Sequence, residues 1–372
     1  MTDRNTSLPR AWAEIDLAAA KHNLKVAREL SGINATVLAV VKADAYGHGA
    51  TKLAATWSGE TRWFAVASLA EAREVASAVP GASLLLLGPA LPWEREQVVR
   101  EGFTPCVSTF EEAKAYNELA SPQKPFPIHL VVDTGMGRIG LLEDGVLEAV
   151  LAICRLPNLE VQGFASHLPS ADEDFDFTAR QIQSFSGIVA EVKRHGVVPT
   201  LLHTQNSAGL LAFGDAGLNM YRIGLALYGI SPLPSEQAKF QPVMSFKTRV
   251  ALVRELPAGH GVSYGRSFIT PRPMLVATLS AGYADGYPRS LSGRSASVIL
   301  RGQRCPLLGR VTMDLIMVDV SELSEVAIGD EAVLFGRQGE EVILATEIAR
   351  KAGTIAWEIF TGISSRVPRL YL

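Results

Sequence analysis

The amino-acid sequence predicts an α/β domain followed by a β domain: an N-terminal (β/α)8 TIM barrel over residues 1–240, then a mostly β C-terminal domain over 241–372. Two textures and the change between them carry that expectation. Up to about residue 240, short and nearly continuous apolar runs alternate with stretches whose apolar residues recur at helical spacing. Parallel strands covered on both faces produce that pattern. Beyond residue 240 the apolar residues alternate with polar ones at period two, interrupted by Gly and Pro, as antiparallel strands and their turns require.

The expected barrel strands are TVLAVVK (36–42), WFAVAS (63–68), SLLLLG (83–88), TPCVS (104–108), IHLVVD (128–133), VQGFASH (161–167), TLLHT (200–204) and MYRIG (220–224). Eight strand–helix units in this length are what a closed barrel needs. An open, doubly wound sheet is the alternative, because a strand count from sequence is easily off by one. Between the runs lie segments such as SLAEAREVASAV, with Ser68 at the expected N-cap. Ahead of the first helix, RAWAEIDLAA can form a strand, and residues 1–15 are expected to join the C-terminal domain. In that domain SFKTRVALVRELPAG, MLVATLSAG, SASVILRGQRCPLLGRVTMDLIMVDV and DEAVLFGRQ read as strands, with one helix around ATEIARKAG. No internal repeat or low-complexity tract interrupts the chain.

Composition narrows the function. A formal charge of −3 over 372 residues gives no electrostatic reason to expect nucleic acid. Apolar runs such as SLLLLG are far too short to span a bilayer. The opening residues MTDRNTSLPRAWAE are polar and lack the apolar core of a signal peptide, so a cytoplasmic location with no membrane partner is expected. Cys106, Cys154 and Cys305 stand alone, without CxxC spacing, and read as reduced, buried thiols.

On the barrel reading, Lys42 closes strand one, Arg138 in DTGMGRIG follows strand five, and His167 closes strand six. Asn206 and Ser207 in HTQNSAG follow strand seven, and Arg222 and Gly224 lie on strand eight. All project at the carboxyl rim, where barrel enzymes keep their chemistry. The NSAG turn offers hydroxyl and backbone N–H donors entering a helix, a setting for a phosphate dianion. Singly, each residue has a plainer use: a strand-end lysine is usually solvated, and a rim histidine or arginine usually serves the fold. Together they point to an anionic ligand, either a phosphate-bearing cofactor held by Lys42 or a sugar phosphate.

Other motifs lead nowhere. GVSYG (261–265) fits Gly-x-Ser-x-Gly, but the last histidine, His260, precedes Ser263 and no helix follows; a nucleophile elbow needs both. DEDFDFTARQIQ from Asp172 begins like a calcium loop but has Phe177 at position six and Gln183 at position twelve. No HExxH or comparable metal cluster is present, and no metal is expected.

With those residues in place, AVVKADAYGHG, DTGMGRIG, HTQNSA, YRIGLALYG, VSYG, GYADGYPR, GRVTMD and ISSRVPR resemble, in order and from Trp12 to Tyr371, the alanine racemase family. The resemblance implies a fold-type III pyridoxal 5′-phosphate enzyme, a barrel plus a β domain, active as a head-to-tail homodimer whose subunits share each site. It identifies Lys42 as the amine that bonds to the cofactor, with Tyr46, Ser207, Gly224 and Leu225 at the phosphate, Arg222 at the pyridine nitrogen and His167 near the ring; Asn206, in the same turn as Ser207, is expected to bind the cofactor too. Schiff-base formation needs a neutral amine, which partial burial beside cations favours.

The same resemblance makes Tyr264 the second catalytic residue, delivered by the partner subunit. It also assigns the substrate contacts to Arg138, Met313 and Tyr283, with Asp314 ordering the Met313 loop. Racemisation removes a proton from one face and returns one to the other, so Lys42 would serve D-alanine and Tyr264 L-alanine. A phenol is a weak base near neutrality and needs cationic or hydrogen-bonding help, which His167 is positioned to give through Arg222. D-alanine for peptidoglycan is the implied product. A broad-specificity amino-acid racemase and a non-catalytic carrier of the cofactor remain the alternatives, the VSYG-bearing β domain speaking against the carrier.

Three positions depart from the family. Val131 stands where many relatives carry a carbamylated lysine beside the strand-five arginine, so chloride or another carboxylate is expected to balance Arg138. Ser365 replaces a phosphate-binding tyrosine of some relatives, and Thr312 replaces a cysteine.

Overall fold

The computed structural model describes residues 9–372, so the reading of the first eight residues lies outside the described part. The chain divides into two compact units. One holds residues 20–45 and 49–241; the other holds the residues up to Ala19, Tyr46–His48 and Pro242–Leu372.

In the first unit, parallel strands run in the order Thr36–Val40, Trp63–Val66, Ser83–Leu86, Thr104–Val107, Phe126–Asp133, Leu159–Ala165 and Leu201–His203. Strand eight, Met220–Ile223, pairs with strand one in the register Met220↔Thr36 to Ile223↔Ala39. That pairing rules out the open sheet. The remaining seam lies between strands seven and eight. There Asn219 N donates to the Leu202 carbonyl at 3.3 Å and Arg222 N to that of Gln205 at 3.0 Å. The Asn219 side chain completes the seam, accepting from Leu202 N at 2.8 Å and donating to the Thr200 carbonyl at 2.7 Å. Leu38, Phe64, Leu85, Ile128, Leu130 and Phe164 are wholly buried, which is why these strands read as continuous apolar runs.

The helices between the strands start where the sequence supplies a cap. Ser68 accepts from Glu71 N ahead of Leu69–Ala78, Thr109 from Glu112 N ahead of Phe110–Leu119, and Asp174 from Phe177 N ahead of Phe175–Arg194.

Among the described residues the second unit holds a nine-stranded, mainly antiparallel sheet and a separate two-stranded one, Gly261–Val262 with Phe268–Ile269. Its long strand Met244–Leu256 pairs with Ala11–Ile15 and then Met274–Leu279 along one edge and with Glu331–Gln338 on the opposite edge, so part of the larger sheet closes on itself. Ala11–Ile15 is the N-terminal strand anticipated from RAWAEI, and Arg369–Tyr371 runs parallel to it at the edge. Two helices, Ala345–Ala352 and Ala356–Thr361, come between the strand Glu341–Ile343 and the edge strand Arg369–Tyr371; the sequence reading foresaw the first alone. The second is six residues long, too short for its apolar spacing to repeat. Among the described residues no helix is long and apolar enough to cross a membrane.

Candidate active site

Strand one ends in an unusual turn. Val41 N donates to the Ala65 carbonyl at 2.8 Å, and then Ala43, Asp44, Ala45 and Tyr46 all take left-handed φ values of 51–52°. None is glycine, and each such residue costs about 1–2 kcal/mol. Several bonds offset that cost. Ala45 N donates to the Val41 carbonyl at 2.8 Å and Gly49 N to that of Asp44 at 2.9 Å. Ala50 N donates to Asp44 Oδ1 at 2.7 Å, and Ala43 N to Glu71 Oε1 at 2.9 Å. Within the second unit, Arg369 Nε donates to the Gly47 carbonyl at 3.0 Å.

Lys42, the residue before the left-handed run, is half-buried. Burial and the nearby Arg138 cation lower the pKa of its amine, and the Glu71 carboxylate works the other way. Arg138 sits on a loop folded around Asp133. The Asp133 carboxylate accepts from Gly135 N at 2.9 Å, Met136 N at 2.8 Å and Gly137 N at 2.9 Å. Burial opposes ionisation of Asp133, and these backbone donors outweigh it, holding its pKa low. Val131 is buried and carries no charge. Among the described residues no carboxylate pairs with Arg138.

Arg222 is buried, and its terminal nitrogens are fully used. Nη1 donates to His203 Nδ1 at 2.6 Å and to the His203 carbonyl at 2.8 Å. Nη2 donates to the carbonyls of Ser166 and Thr204 at 2.6 and 2.8 Å and to His167 Nδ1 at 3.2 Å. The Nε–H has no partner among the described residues. Because His203 accepts at Nδ1, its Nε2 carries the hydrogen and donates to His129 Nδ1, 2.8 Å away. Gly163 makes room for this pair, since a Cβ there would lie 2.6 Å from the His129 ring. Burial lowers His129 to about 4, and burial with the Arg222 cation takes His203 well below its ordinary value. Burial and the cations Arg222, Arg138 and Lys42 push His167 down to about 3. His167 is therefore neutral at pH 7, and any help it gives a phenolate comes as an Nε2–H donor rather than as a charge. Burial lowers Arg222 itself to about 10, which leaves it charged.

Beside this arginine, the Ser207 hydroxyl accepts from Gly224 N at 3.2 Å and Ala226 N at 3.3 Å. With both lone pairs engaged, the hydroxyl proton is left to donate to a further acceptor. Leu225 opens the 3-10 turn Leu225–Tyr228 that follows Gly224. The Asn206 amide serves the fold with one donor and one lone pair: Oδ1 accepts from Gly209 N at 2.9 Å and Nδ2 donates to the Leu168 carbonyl at 3.0 Å. Burial raises the Tyr46 phenol to about 12, a Trp357 hydrogen bond opposing it, so it remains a donor.

In the second unit, Tyr264, Met313 and Tyr283 are 71, 52 and 40% exposed. Gly282 lets two backbone segments touch, because a Cβ there would fall 2.3 Å from the Thr312 and Met313 carbonyls. Tyr283 N and Ala284 N donate to those carbonyls at 3.0 Å. Asp314 accepts from Arg366 at 2.9 Å, and Arg366 also pairs with the buried Asp285, which orders this loop from behind. Ser263 donates to the Arg310 carbonyl at 2.6 Å, so its hydroxyl is structural.

Sequence reasoning missed Glu71, Asp133, His129 and His203. Each sits in a segment read as strand or cap; Asp133 and His203 open DTGMGRIG and HTQNSA, but the letters alone do not tell what their side chains reach.

Two family models match: the N-terminal domain of alanine racemase over residues 15–232 and its C-terminal domain over 243–371. An alanine racemase of Halothermothrix orenii is 40% identical over 97% of this chain and 96% of its own. One from Symbiobacterium thermophilum is 43% identical over the same shares. Among solved structures, an alanine racemase of Clostridium difficile 630 superposes with a TM-score of 0.92 at 31% identity, covering 99% of this chain and 97% of that one. The enzyme of Streptomyces coelicolor A3(2) gives 0.89 at 35% identity, covering 98% of each.

Proposed function

This chain belongs to the alanine racemase family and interconverts L- and D-alanine, and we propose that it does so with Lys42 and Tyr264 as bases for opposite faces of the α-carbon. The observation that carries the assignment is the convergence, at one barrel rim, of a half-buried lysine with a lowered pKa and a buried arginine whose Nε–H is left without a partner among the described residues.

Those residues fit pyridoxal 5′-phosphate. Lys42 would bond to it, and the Ser207 hydroxyl proton, with Tyr46 and the backbone at Gly224 and Leu225, would hold the phosphate. The Arg222 Nε–H would face the pyridine nitrogen. When bound, the cofactor supplies the electron sink that makes the α-proton removable. Arg222 stays protonated and has no acceptor atom, so it donates a hydrogen bond to the ring without giving up a proton. That limits the sink and favours prompt return of a proton to carbon. Lys42 Nζ takes and returns the proton on the D face, and Tyr264 Oη does so on the L face. Arg138 steadies the substrate carboxylate.

The exposure of Tyr264, Met313 and Tyr283 supports their delivery to a second copy of the chain in a homodimer. A cytoplasmic enzyme supplying D-alanine to peptidoglycan is the corresponding role.

The test is a chiral-product assay of the purified protein on a panel of L-amino acids, with solvent deuterium uptake into each alanine enantiomer. Tyr264→Phe should lower racemisation at least about 10²-fold while D-alanine still exchanges its α-proton. Equal loss of exchange from both enantiomers would remove the two-base assignment. Cofactor binding with no α-exchange in the unsubstituted protein would favour the carrier.

A further inference from the structure

We propose that Glu71 is a positioning residue for Lys42: its carboxylate ties the first peptide of the left-handed turn to the N-terminus of the helix after strand two. The inference rests on Lys42 being the base and cofactor-bearing lysine.

Glu71 does two things at once. Oε2 accepts from Ala67 N at 2.7 Å while its own N–H donates to Ser68 Oγ at 3.3 Å, which is a helix-start motif. Oε1 accepts from Ala43 N at 2.9 Å, the peptide that follows Lys42. The motif needs one oxygen; the second spans from one barrel unit to its neighbour. Ala43 begins a run of left-handed residues, a conformation that persists only where surrounding bonds over-determine it. Releasing its N–H would let the peptide relax, and the lysine side chain departs from that peptide.

A chemically matched control lies two units away. Glu112 accepts from Ser108 N at 2.9 Å, and its N–H donates to Thr109 Oγ1 at 3.1 Å. Its other oxygen, Oε1, has no partner among the described residues. Replacing either glutamate removes the same helix-start contact, but only Glu71 also releases the Lys42 turn.

Charge gives a second readout. The Glu71 carboxylate favours protonated Lys42, so its removal should make the amine neutral at lower pH. A residue that merely supported the fold would leave that profile in place.

The experiment uses the full chain freed of cofactor, titrated with pyridoxal 5′-phosphate from neutral to alkaline pH. The adduct is reduced with borohydride and the Lys42 peptide is weighed. Glu71→Ala should weaken apparent binding about tenfold, the change expected from losing one charge-assisted hydrogen bond. Its capture profile should also move to lower pH, and Glu112→Ala should leave both as in the unsubstituted chain. Unchanged affinity and profile in Glu71→Ala would overturn the proposal, and so would equal changes in Glu112→Ala. If a thermal melt finds Glu71→Ala unfolded, Glu71→Gln, which can serve only one of the two N–H groups, is judged on the same criteria. Failure of the unsubstituted chain to capture the cofactor at Lys42 would overturn the assignment of Lys42, and this inference with it. Normal capture alongside an unaffected Glu71→Ala sinks the positioning role alone.

Discussion

The loops after the second and fourth barrel strands share one local plan and differ in what it reaches. Each has a Ser or Thr cap, a Glu three residues on, and a carboxylate oxygen turned back to the backbone N–H just before the cap. After strand two the spare oxygen holds the turn that carries Lys42. After strand four it is buried with no partner among the described residues, near Tyr116, whose hydroxyl also has none among them. Local sequence therefore dictates the motif, while neighbouring strands decide whether its remaining lone pair has a use. Strand one lies next to strand two in the sheet and not next to strand four, so of these two loops it is the Glu71 loop that reaches the Lys42 turn.

Asp133 extends the comparison to a third loop, where a carboxylate gathers the backbone that carries Arg138. If backbone-gripping carboxylates set the site, Asp133→Ala should raise KM for alanine about tenfold, equivalent to about 1.4 kcal/mol of lost carboxylate positioning, and change kcat less. Steady-state kinetics in both directions check this. A fall in kcat with KM unchanged would mean that Asp133 serves the bases instead of the substrate contact.

The caps come next in size. Ser68→Ala and Thr109→Ala should each cost about 1 kcal/mol of stability, with similar falls in Tm and unchanged alanine kinetics. Calorimetry and the racemisation assay on the two variants read this directly. If Ser68→Ala alone lost activity, the cap hydroxyl, and not the Glu71 carboxylate, would carry the difference between the loops.

These cases mark what the sequence made legible. All eight barrel strands were visible because a strand buried on both faces is written as an apolar run, and Ser68 was visible as a cap because its pattern is local. The rim positions of Lys42, His167, Ser207 and Arg222 followed once the strands were in register. The left-handed turn was not legible. ADAY contains no glycine, and its backbone is imposed by bonds to Glu71, Asp44 and Val41. The tautomers of His203 and His129 were hidden too, because they follow from which atom of Arg222 meets which nitrogen. His167 was read as a source of hydrogen-bonding or cationic help; its burial among three cations removes the cationic option.

The smallest expected effect bears most directly on the unused oxygen of Glu112. Burial raises the Glu112 pKa, with the Ser108 N–H and the Arg95 cation pulling the other way. A carboxyl whose folded pKa lies above its unfolded value binds its proton more tightly in the native state. Its contribution to stability is present below the unfolded value, near ~4.3, and is lost as pH rises through the folded value. Glu112→Gln keeps an acceptor for Ser108 N and never ionises. Its Tm relative to the unsubstituted chain should therefore rise across that window and level off above it, by about 1 °C or less. Melts at a series of pH values measure it. A Gln variant that is less stable at neutral pH, by an amount that grows through the same window, would mean that the ionised Glu112 has found a favourable partner. The two carboxylates would then both be fully employed, and the contrast between their loops would lie in position alone.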